Sequence, residues 1–512
     1  MRSALGRVVL VLGIFVVFAT AGYADSLVLK TDEGRVQGKE INQGKVHAFL
    51  GMPYAAPPVG ELRWKAPQAV AGWKGTRDAT RYGAPCAQGK PYDDMIFQDA
   101  EPSEDCLFLN VYTPADATKK SNLPVMFWIH GGGYGYGSSS EPRHNGDSLP
   151  TRGVVLVTIN YRLGPLGFLA TEELAKEGKG AAGNYALMDM IAALQWVQRN
   201  IGNFGGDAGN VTIFGESAGS FAVSTLMASP AAKGLFHKAI GESGGAMGVG
   251  ILVTDSLEAR EKRDAKWVAS MGVSTLSELR ALPWTKLVVP ANSVKVYKFY
   301  PVIDGKVLTE PIADTYAAGR QAHIPLLVGW NRDESGYSDK TITSEKWKAM
   351  AEEKFKDRAA EFLSLYPGRT DAEAMRSAID YGGDIFISFG TWKWMEAHRK
   401  TGESPVYRYH FELGAPPNKA RPVSYAYHSD EISYVFGTLD ERPHTDWRPE
   451  DRKLSEEMMS YWTNFARTGD PNGPGLPAWP KLDARDSLIH LDSTITSGPD
   501  TVRARYEFLE KF

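Results

Sequence analysis

A serine lies between an apolar run and a run of small residues in the segment VTIFGESAGS, residues 211–220. The spacing Gly215-x-Ser217-x-Gly219 is typical of a nucleophile elbow, a sharp strand-to-helix turn that exposes the serine hydroxyl. Any turn rich in glycine and serine can match this pattern and use its serine only for tight packing. A predicted strand before Ser217 and a predicted helix after it favour the nucleophile.

A serine hydroxyl is a poor nucleophile unless a base takes its proton, and histidine is the usual base. In this strand–turn–helix arrangement the acid and then the histidine follow the serine along the chain. Four later histidines lie inside or just before predicted elements and fit a structural role: His237, His323, His398 and His410. His428 lies in the loop SYAYHSDEISYVFG, between a strand and a helical turn, and is the predicted base.

The acid that orients this imidazole must lie between Ser217 and His428 and follow a strand. The segment PLLVGWNRDES ends a predicted buried strand near Trp330 and presents two adjacent carboxylates, Asp333 and Glu334. Either carboxylate can hold the imidazole in the required tautomer and stabilise its cation. Spacing alone does not choose between them.

Three consecutive glycines follow another apolar run in FWIHGGGYGYGSSS, residues 127–140. Their backbone N–H groups are unshielded, and with the N–H of Ala218 two of them can form an oxyanion hole. A phosphate-binding loop is the alternative for such a stretch. It is excluded because the segment has neither a G-x-G-x-x-G spacing nor a Walker-type lysine.

The elements that position these residues alternate along the chain. Continuous apolar runs predict strands buried on both faces, and they lie at 124–130, 153–162, 210–214, 237–243, 325–330 and 406–413. Helical periodicity predicts helices at 186–201 and 218–229. This order predicts an α/β fold with a mostly parallel sheet and helices on both faces. The helix-rich region 344–400 is predicted to form a cap or a lateral insertion.

The N-terminus is predicted to be a signal peptide. Arg2 and Arg7 precede the apolar stretch 8–20, and small residues lead to a cleavage site after Ala24. That stretch has 13 residues, too few to span a bilayer, for which roughly 20 are needed. We therefore expect a secreted or periplasmic protein without stable membrane insertion, in which residues 25–512 form one domain.

The two cysteines, Cys86 and Cys106, agree with export, because an oxidising compartment lets such a pair close. Two buried free thiols are the alternative. Neither cysteine has a second ligand at C-x-x-C spacing, so the sequence predicts no metal site.

The overall composition excludes one class of partner. The chain has 512 residues, is 43% hydrophobic and carries a formal net charge of −4. A nucleic-acid-binding protein usually has a basic face, so we expect no nucleic-acid partner. The oligomeric state cannot be predicted from these patterns.

With these residues identified, the chain resembles type-B carboxylesterases of the cholinesterase/carboxylesterase family, similar to para-nitrobenzyl esterases, within the α/β-hydrolase fold. Five segments carry the resemblance in order, and they are FLGMPYAAPPVGELRWKAP (49–67), SEDCLFLNVYTP (103–114), IHGGGYGYGSSS (129–140), 184–220 and FARTGDPN (465–472). Together they span nearly all of the mature chain and are far more specific than G-x-S-x-G alone.

The resemblance implies roles for individual residues. The family's acid is the glutamate after an aspartate in a DEG-like stretch, which selects Glu334, and its base lies in an H-x-x-E…FG stretch, which selects His428. The implied oxyanion donors are Gly132, Gly133 and Ala218. The sequence departs from the pattern in one place, because Ser335 follows the acid and Gly336 comes one position later.

The family's first disulfide matches Cys86 and Cys106, and its later pairs have no cysteines here. The loop between them lacks the tryptophan on which cholinesterases stack choline. Tyr92 and Phe97 are the aromatic residues available, either as loop packing or as part of a binding site. This departure argues against choline specificity.

The resemblance therefore implies a serine hydrolase that acts on neutral carboxylic esters through an acyl-enzyme, without metal or organic cofactor. Two alternatives stay open. One is an amidase or carbamate hydrolase of the same fold, and the other is a non-catalytic binding protein, which the intact Ser217, Glu334 and His428 set argues against.

Overall fold

The computed structural model describes residues 27–98, 101–248, 254–288, 299–335, 341–419, 421–442, 444–483 and 486–511. Its strands are β1 (Val28–Lys30), β2 (Arg35–Gln37), β3 (Lys39–Ile41), β4 (Val46–Pro53), β5 (Thr76–Asp78), β6 (Phe108–Pro114), β7 (Leu123–Ile129), β8 (Val155–Ile159), β9 (Gly206–Glu216), β10 (Lys238–Glu242), β11 (Asp255–Ser256), β12 (Val302–Ile303), β13 (Leu326–Asn331), β14 (Val406–Phe411), β15 (Ser487–Leu491) and β16 (Thr496–Pro499). The predicted signal peptide at 1–24 and Gly336 lie outside the described residues.

The α-helices are α1 (Gly164–Phe168), α2 (Glu172–Glu177), α3 (Tyr185–Asn200), α4 (Ala218–Ala228), α5 (Leu257–Ser270), α6 (Leu276–Ala281), α7 (Ile312–Ala317), α8 (Ser344–Phe355), α9 (Ala359–Leu365), α10 (Asp371–Gly383), α11 (Phe389–Thr401), α12 (Ile432–Phe436), α13 (Pro449–Thr468) and α14 (Arg503–Leu509). A π-helical turn, Asp384–Ser388, joins α10 to α11. Among the described residues, no helix is long and apolar enough to cross a membrane.

The central sheet has the strand order β16-β15-β14-β13-β10-β9-β7-β8-β6-β4-β3. Neighbours from β15 through β8 in this order pair in parallel. Antiparallel strands flank them at both ends. The predicted mostly parallel sheet is confirmed, and the carboxyl ends of its parallel strands share one edge, where loops can bring side chains together.

Two apolar clusters cover the two faces of this sheet. In β7 the side chains of Val125, Phe127 and Ile129 belong to one cluster, whereas Met126 and Trp128 belong to the other. Successive side chains of a strand point to opposite faces, so a strand covered on both sides needs apolar residues at nearly every position. Helices α3 and α4 pack on the first face, and α13 packs on the second.

Most predicted elements are confirmed to within a few residues, but several observed elements were not predicted, among them the sheet strands β6, β15 and β16 and the long helix α13. A hydropathy pattern does not predict strand β6, because polar side chains in the middle of this strand are buried. The Asn110 amide accepts a hydrogen bond from Gly51 N at 2.9 Å and donates to Thr158 Oγ1 at 2.9 Å. These hydrogen bonds satisfy the polar atoms of the Asn110 side chain, so this polar side chain can be buried in the strand without a large free-energy penalty.

The region 344–400 is helical as predicted, in α8 to α11.

Cys86 and Cys106 form a disulfide with an S–S distance of 2.03 Å, and both residues are buried. The alternative of two free thiols is therefore wrong. The bond closes the loop that carries Tyr92 and Phe97.

Candidate active site

Ser217 occupies the turn between β9 and α4 with φ 52° and ψ −123°. A non-glycine residue with positive φ is strained, by about 1–3 kcal/mol, and persists only where its surroundings enforce it. Here the flanking glycines let the backbones approach, because a Cβ added to Gly215 or Gly219 would lie 2.6 or 2.0 Å from the Ile129 carbonyl oxygen. The side chain of Ser217 is partly exposed, and its hydroxyl makes no hydrogen bond with any described residue.

Glu334 is the carboxylate that meets the imidazole. Its Oε2 lies 2.6 Å from His428 Nδ1, and its Oε1 accepts a hydrogen bond from Asn331 N at 2.7 Å. The Glu334 side chain is 1% exposed. An acceptor held this way fixes both the imidazole's orientation and the nitrogen that carries its proton.

Asp333 points elsewhere. Its Oδ1 is paired with Arg376 Nη1 at 2.5 Å, and its Oδ2 accepts a hydrogen bond from Ala426 N at 2.9 Å. The backbone of Asp333 also bridges to Tyr427, which holds the loop carrying His428 beside the end of β13. Asp333 therefore aligns that loop, whereas the adjacent Glu334 contacts its histidine.

The departure at Ser335 has a local explanation. The hydroxyl of Ser335 donates a hydrogen bond to the Ile379 carbonyl in α10 at 2.9 Å. A side chain thus ties this turn to the helical region, where the family pattern has only glycine.

The other nitrogen of His428 faces a residue that the sequence analysis did not assign to the site. His428 Nε2 lies 3.2 Å from Oε1 of Glu216, the residue directly before Ser217. The same oxygen accepts a hydrogen bond from Ser429 Oγ at 2.6 Å. One signal was available, since Glu216 is a charged residue at the end of a strand predicted to be buried.

Two more glutamates lie buried behind this pair. Glu431 contacts Asn331 Nδ2 at 2.5 Å and Ser243 Oγ at 3.3 Å, and Glu242 accepts a hydrogen bond from Trp462 Nε1 at 2.7 Å. Neither glutamate was predicted to belong to the site, because β10 was predicted as an apolar strand and their hydrogen-bond partners are up to 220 residues away in the chain.

These carboxylates set the local electrostatics. Burial and the neighbouring carboxylates raise the pKa of Glu431 well above its ordinary value, and burial raises the pKa of Glu242 to about 8. Burial lowers the pKa of His428, but the charges of Glu216 and Glu334 outweigh burial and raise that pKa to about 10. Glu242 is therefore mostly protonated at neutral pH, and burial also raises the pKa of Glu216, although the charge of His428 opposes that rise.

The glycine loop after β7 lies against the serine. A Cβ added to Gly131 would lie 3.2 Å from Ser217 Cβ, and Gly132 and Gly133 have φ of +98° and +62°. A Cβ on Gly132 would also meet the Tyr136 carbonyl oxygen at 2.3 Å. Within the described part of the chain, the N–H groups of Gly132, Gly133 and Ala218 have no hydrogen-bond partner, so they are available to an oxygen atom beside the serine.

His130 contacts the backbone of the glycine loop after β7. Burial lowers its pKa to about 4, so the ring is neutral, and its Nδ1 lies 2.9 Å from the Gly131 carbonyl oxygen. The ring stacks on Tyr161 with centroids 4.4 Å apart. We conclude that His130 positions the loop.

Aromatic rings lie against His428 and beside the glycine loop. Phe386, from the turn between α10 and α11, meets the His428 ring edge-on with centroids 5.1 Å apart. Tyr92 packs edge-on against Tyr136 at 5.4 Å, and its hydroxyl lies 4.0 Å from the position of a Cβ on Gly133. Tyr92 is 40% exposed, which leaves part of its ring free for a ligand.

Comparisons with known proteins agree with this geometry. Residues 25–508 match the model of the carboxylesterase family. The chain is 36% identical to fumonisin B1 esterase of Sphingopyxis macrogoltabida, over 92% of this chain and 87% of that protein. It is 36% identical to para-nitrobenzyl esterase of Bacillus subtilis (strain 168), over 92% and 95%, and 37% identical to carboxylesterase 1D of Rattus norvegicus, over 94% and 92%.

Solved structures give the same result. A thermophilic PNB esterase superposes with a TM-score of 0.80 at 34% identity, covering 94% of this chain and 100% of that one. A second PNB esterase structure superposes with a TM-score of 0.78 at 33% identity, with coverage of 94% and 100%. The fold is thus the α/β-hydrolase fold, and this chain belongs to the carboxylesterase family.

Proposed function

We propose that Ser217, His428 and Glu334 form the catalytic triad of this carboxylic ester hydrolase. One observation carries the proposal: the loop facing the strained Ser217 turn presents a histidine whose Nδ1 lies 2.6 Å from a buried glutamate. No packing role requires a solvent-accessible serine in a strained turn beside a histidine that is itself held by a carboxylate.

In the first half of the reaction, His428 Nε2 takes the proton of Ser217 as Oγ attacks the ester carbonyl carbon. The carbonyl oxygen becomes an oxyanion, which the N–H groups of Gly132, Gly133 and Ala218 stabilise. Loss of one such donor costs on the order of 10²–10³ in rate. The tetrahedral intermediate collapses, His428 protonates the leaving alcohol, and the acyl group stays on Ser217.

In the second half, His428 takes a proton from water, which attacks the acyl carbon of Ser217. The same N–H groups stabilise the second oxyanion. Collapse releases the carboxylic acid and returns the proton to Ser217 Oγ. Glu334 remains ionised throughout and stabilises the imidazolium that forms in each half.

The hydroxyl of Ser217 and the imidazole are not hydrogen-bonded to each other in the described structure, because Nε2 faces Glu216 at 3.2 Å. Catalytic hydrogen bonds are often long before substrate binds and tighten in the reacting complex. Glu216 adjoins Ser217 in the chain, so Nε2 already lies beside the residue that precedes the nucleophile, and we expect it to turn from the carboxylate to the hydroxyl when substrate binds.

We further propose that the substrates are neutral esters with apolar groups. Phe386 lies against His428 and Tyr92 lies beside the glycine loop, and ring surfaces at these places favour apolar acyl or alcohol groups through burial from water. The relatives acting on p-nitrobenzyl esters and on fumonisin B1 differ in substrate, as their names state, so the particular ester depends on these lining residues.

We also propose that residues 1–24 are a signal peptide and that residues 25–512 are one exported catalytic domain, secreted or periplasmic. The family match begins at residue 25, directly after the predicted cleavage site. The disulfide between Cys86 and Cys106 supports an oxidising compartment. N-terminal sequencing of the exported protein should begin at Asp25, and retention of residues 1–24 would contradict this proposal.

The triad is tested by covalent labelling and by burst kinetics. A fluorophosphonate should label Ser217, and peptide mass spectrometry should place the adduct there and leave Ser220 and Ser243 unmodified. p-Nitrophenyl butyrate should give a burst of one nitrophenolate per active site. An adduct on Ser243 or Ser220, or turnover without any adduct on Ser217, would overturn the assignment.

The rival functions give different results in the same assay. An amidase should also hydrolyse the matching p-nitroanilide at a comparable rate, and a binding protein should give neither burst nor turnover. We expect the ester to be hydrolysed with a kcat/KM on the order of 10²-fold or more above that of the anilide, because amide resonance stabilises the anilide carbonyl and the amine is a poorer leaving group than p-nitrophenolate.

A further inference from the structure

Three metal-ligating side chains meet on the central sheet, apart from the proposed triad: His410, Glu412 and His490. His410 lies in β14 directly opposite His490 in β15. Glu412 follows the end of β14, and its N–H bonds to the Leu491 carbonyl at 2.9 Å, which continues the ladder. Residues two positions apart in extended chain share a face, so all three side chains lie on the same side of the sheet.

The side chains converge on one oxygen. Glu412 Oε1 lies 2.8 Å from His410 Nδ1 and 2.6 Å from His490 Nδ1. One potential ligand atom from each residue lies within 4.8 Å of the others. They make no hydrogen bond or ion pair with Ser217, Glu334 or His428, all of which the structure describes.

We propose that His410, Glu412 and His490 form a binding site for one divalent transition-metal ion, with Zn²⁺ as the ion that fits the donors best. Two imidazoles and one carboxylate are a donor set that zinc binds at about 2.0–2.2 Å. Ligand atoms around a tetrahedral ion are then about 3.3 Å apart. To reach that spacing, His410 Nδ1 and His490 Nδ1 need to move away from Glu412 Oε1 by only about 0.5 and 0.7 Å.

The exposure of the three side chains allows this adjustment. The side chains are 19%, 21% and 23% exposed, so they have room to move and an ion can enter from solvent.

The other described histidine–carboxylate contacts on the surface differ in kind. His47 and Glu40 are 3.9 Å apart, and His323 and Glu403 are 4.0 Å apart, each as a pair with no third ligand. At Glu412 two imidazoles contact one carboxylate oxygen at shorter distances, so three potential ligands meet at one point. The ion would fasten β14 to β15, and its remaining coordination positions would be filled by water.

The test uses the full exported chain after treatment with EDTA, titrated with ZnCl₂ by calorimetry in a buffer that does not bind metals. We expect one high-affinity Zn²⁺ per chain. His490→Asn and Glu412→Gln should each weaken binding by about 100-fold or more, because even loss of a residue that only supports a ligand costs 10–100-fold. His323→Asn is the matched control and should leave the affinity unchanged.

A second readout separates coordination from nonspecific binding. Co²⁺ should give visible d–d absorption bands in the wild-type chain and in His323→Asn, and these bands should be lost in Glu412→Gln. Glu412→Gln keeps an oxygen acceptor for one imidazole, so it serves if His490→Asn does not fold. No Zn²⁺ bound, or binding that both variants retain, would overturn the proposal. Ester turnover is not the readout, so this result is independent of the proposed triad.

Discussion

The helical region 344–400 and the carboxyl edge of the central sheet are both buried, but they bury opposite kinds of groups. The helical region, with α14, forms an aromatic core of Trp347, Phe355, Phe362, Tyr366, Tyr381 and Phe508. Phe355 and Phe362 stack with centroids 4.3 Å apart. Two polar groups of this core are paired, since the Tyr366 hydroxyl donates to Asp384 at 2.8 Å and Trp347 Nε1 donates to the Tyr366 carbonyl.

The sheet edge instead buries Glu216, Glu242 and Glu431 around one histidine. Oε2 of Glu242 has no hydrogen-bond partner among the described residues, and Ser217 is held at positive φ. Each of these features lowers stability. The aromatic core is therefore arranged for stability. The sheet edge is less stable, because it holds the His428 imidazole and the Ser217 hydroxyl in place. Substitutions in the two regions should therefore have separable effects.

The largest effect is expected from Ser217→Ala. Loss of the nucleophile should lower kcat on the order of 10⁶-fold, while the free energy of unfolding changes by less than about 0.5 kcal/mol, because no hydrogen bond is lost. Ser220→Ala is the control. Its buried hydroxyl donates to the Gly244 carbonyl at 2.6 Å, so this variant should lose about 1 kcal/mol of stability and keep its burst. A Ser217→Ala enzyme with wild-type turnover would refute the triad.

The adjacent carboxylates give the next largest effect. Glu334→Gln should lower kcat on the order of 10⁴-fold, because an amide no longer holds the required imidazole tautomer. Asp333→Asn should lower kcat far less, yet destabilise the fold by weakening the pair between the buried Asp333 carboxylate and the partly exposed Arg376. Steady-state kinetics with thermal unfolding of both variants checks this. The reverse ranking of kcat would assign the acid to Asp333.

Phe362→Ala tests the other side of the comparison. Phe362 is fully buried against Phe355 and Tyr381, so its truncation should cost about 3–5 kcal/mol in the free energy of unfolding. Below the unfolding transition, kcat/KM should stay within a few-fold of wild type. Chemical denaturation and esterase assays on the same preparation measure both. A large loss of kcat at full folding would mean that the aromatic core shapes the site.

Glu216→Gln should change the pH dependence more than the maximal rate. The charge of Glu216 stabilises the imidazolium 3.2 Å away and raises the pKa of His428. The base must be neutral to act, so removing this charge lowers that pKa and moves the acid limb of kcat/KM to lower pH. Glu242→Gln is the control, because Glu242 bonds to Trp462, and it should leave the limb in place. A shift to higher pH would contradict this electrostatic role.

The smallest effect concerns choline esters. A quaternary ammonium gains about 0.5–2 kcal/mol from an aromatic face, with tryptophan the best, and the loop closed by Cys86 and Cys106 has no tryptophan. We expect kcat/KM for butyrylthiocholine to be less than about ten times the kcat/KM for an uncharged thioester of similar size. A larger preference that Tyr92→Ala or Phe97→Ala abolishes would make those rings a cation site.

The features that could be predicted are those that depend on residues close together in the sequence. The turn at Ser217 needs small residues next to one another, and strands covered on both faces need continuous apolar runs, so both leave short-range patterns. The same reasoning failed at β6, where buried amide hydrogen bonds replace apolar contacts. It also failed for Glu242 and Glu431, whose partners are distant in the chain.

The sequence by itself determined the α/β class, the strand-to-helix turn at Ser217 and the glycine loop after β7, because each depends on neighbouring residues. Only the tertiary structure decided that Glu334 contacts His428 while Asp333 binds Arg376. Adjacent residues at a strand end point in different directions, and the partner of each comes from a remote segment. The same reason applies to Glu412 and His490, 78 residues apart: pairing of β14 with β15 brings them together, and no local pattern records that pairing.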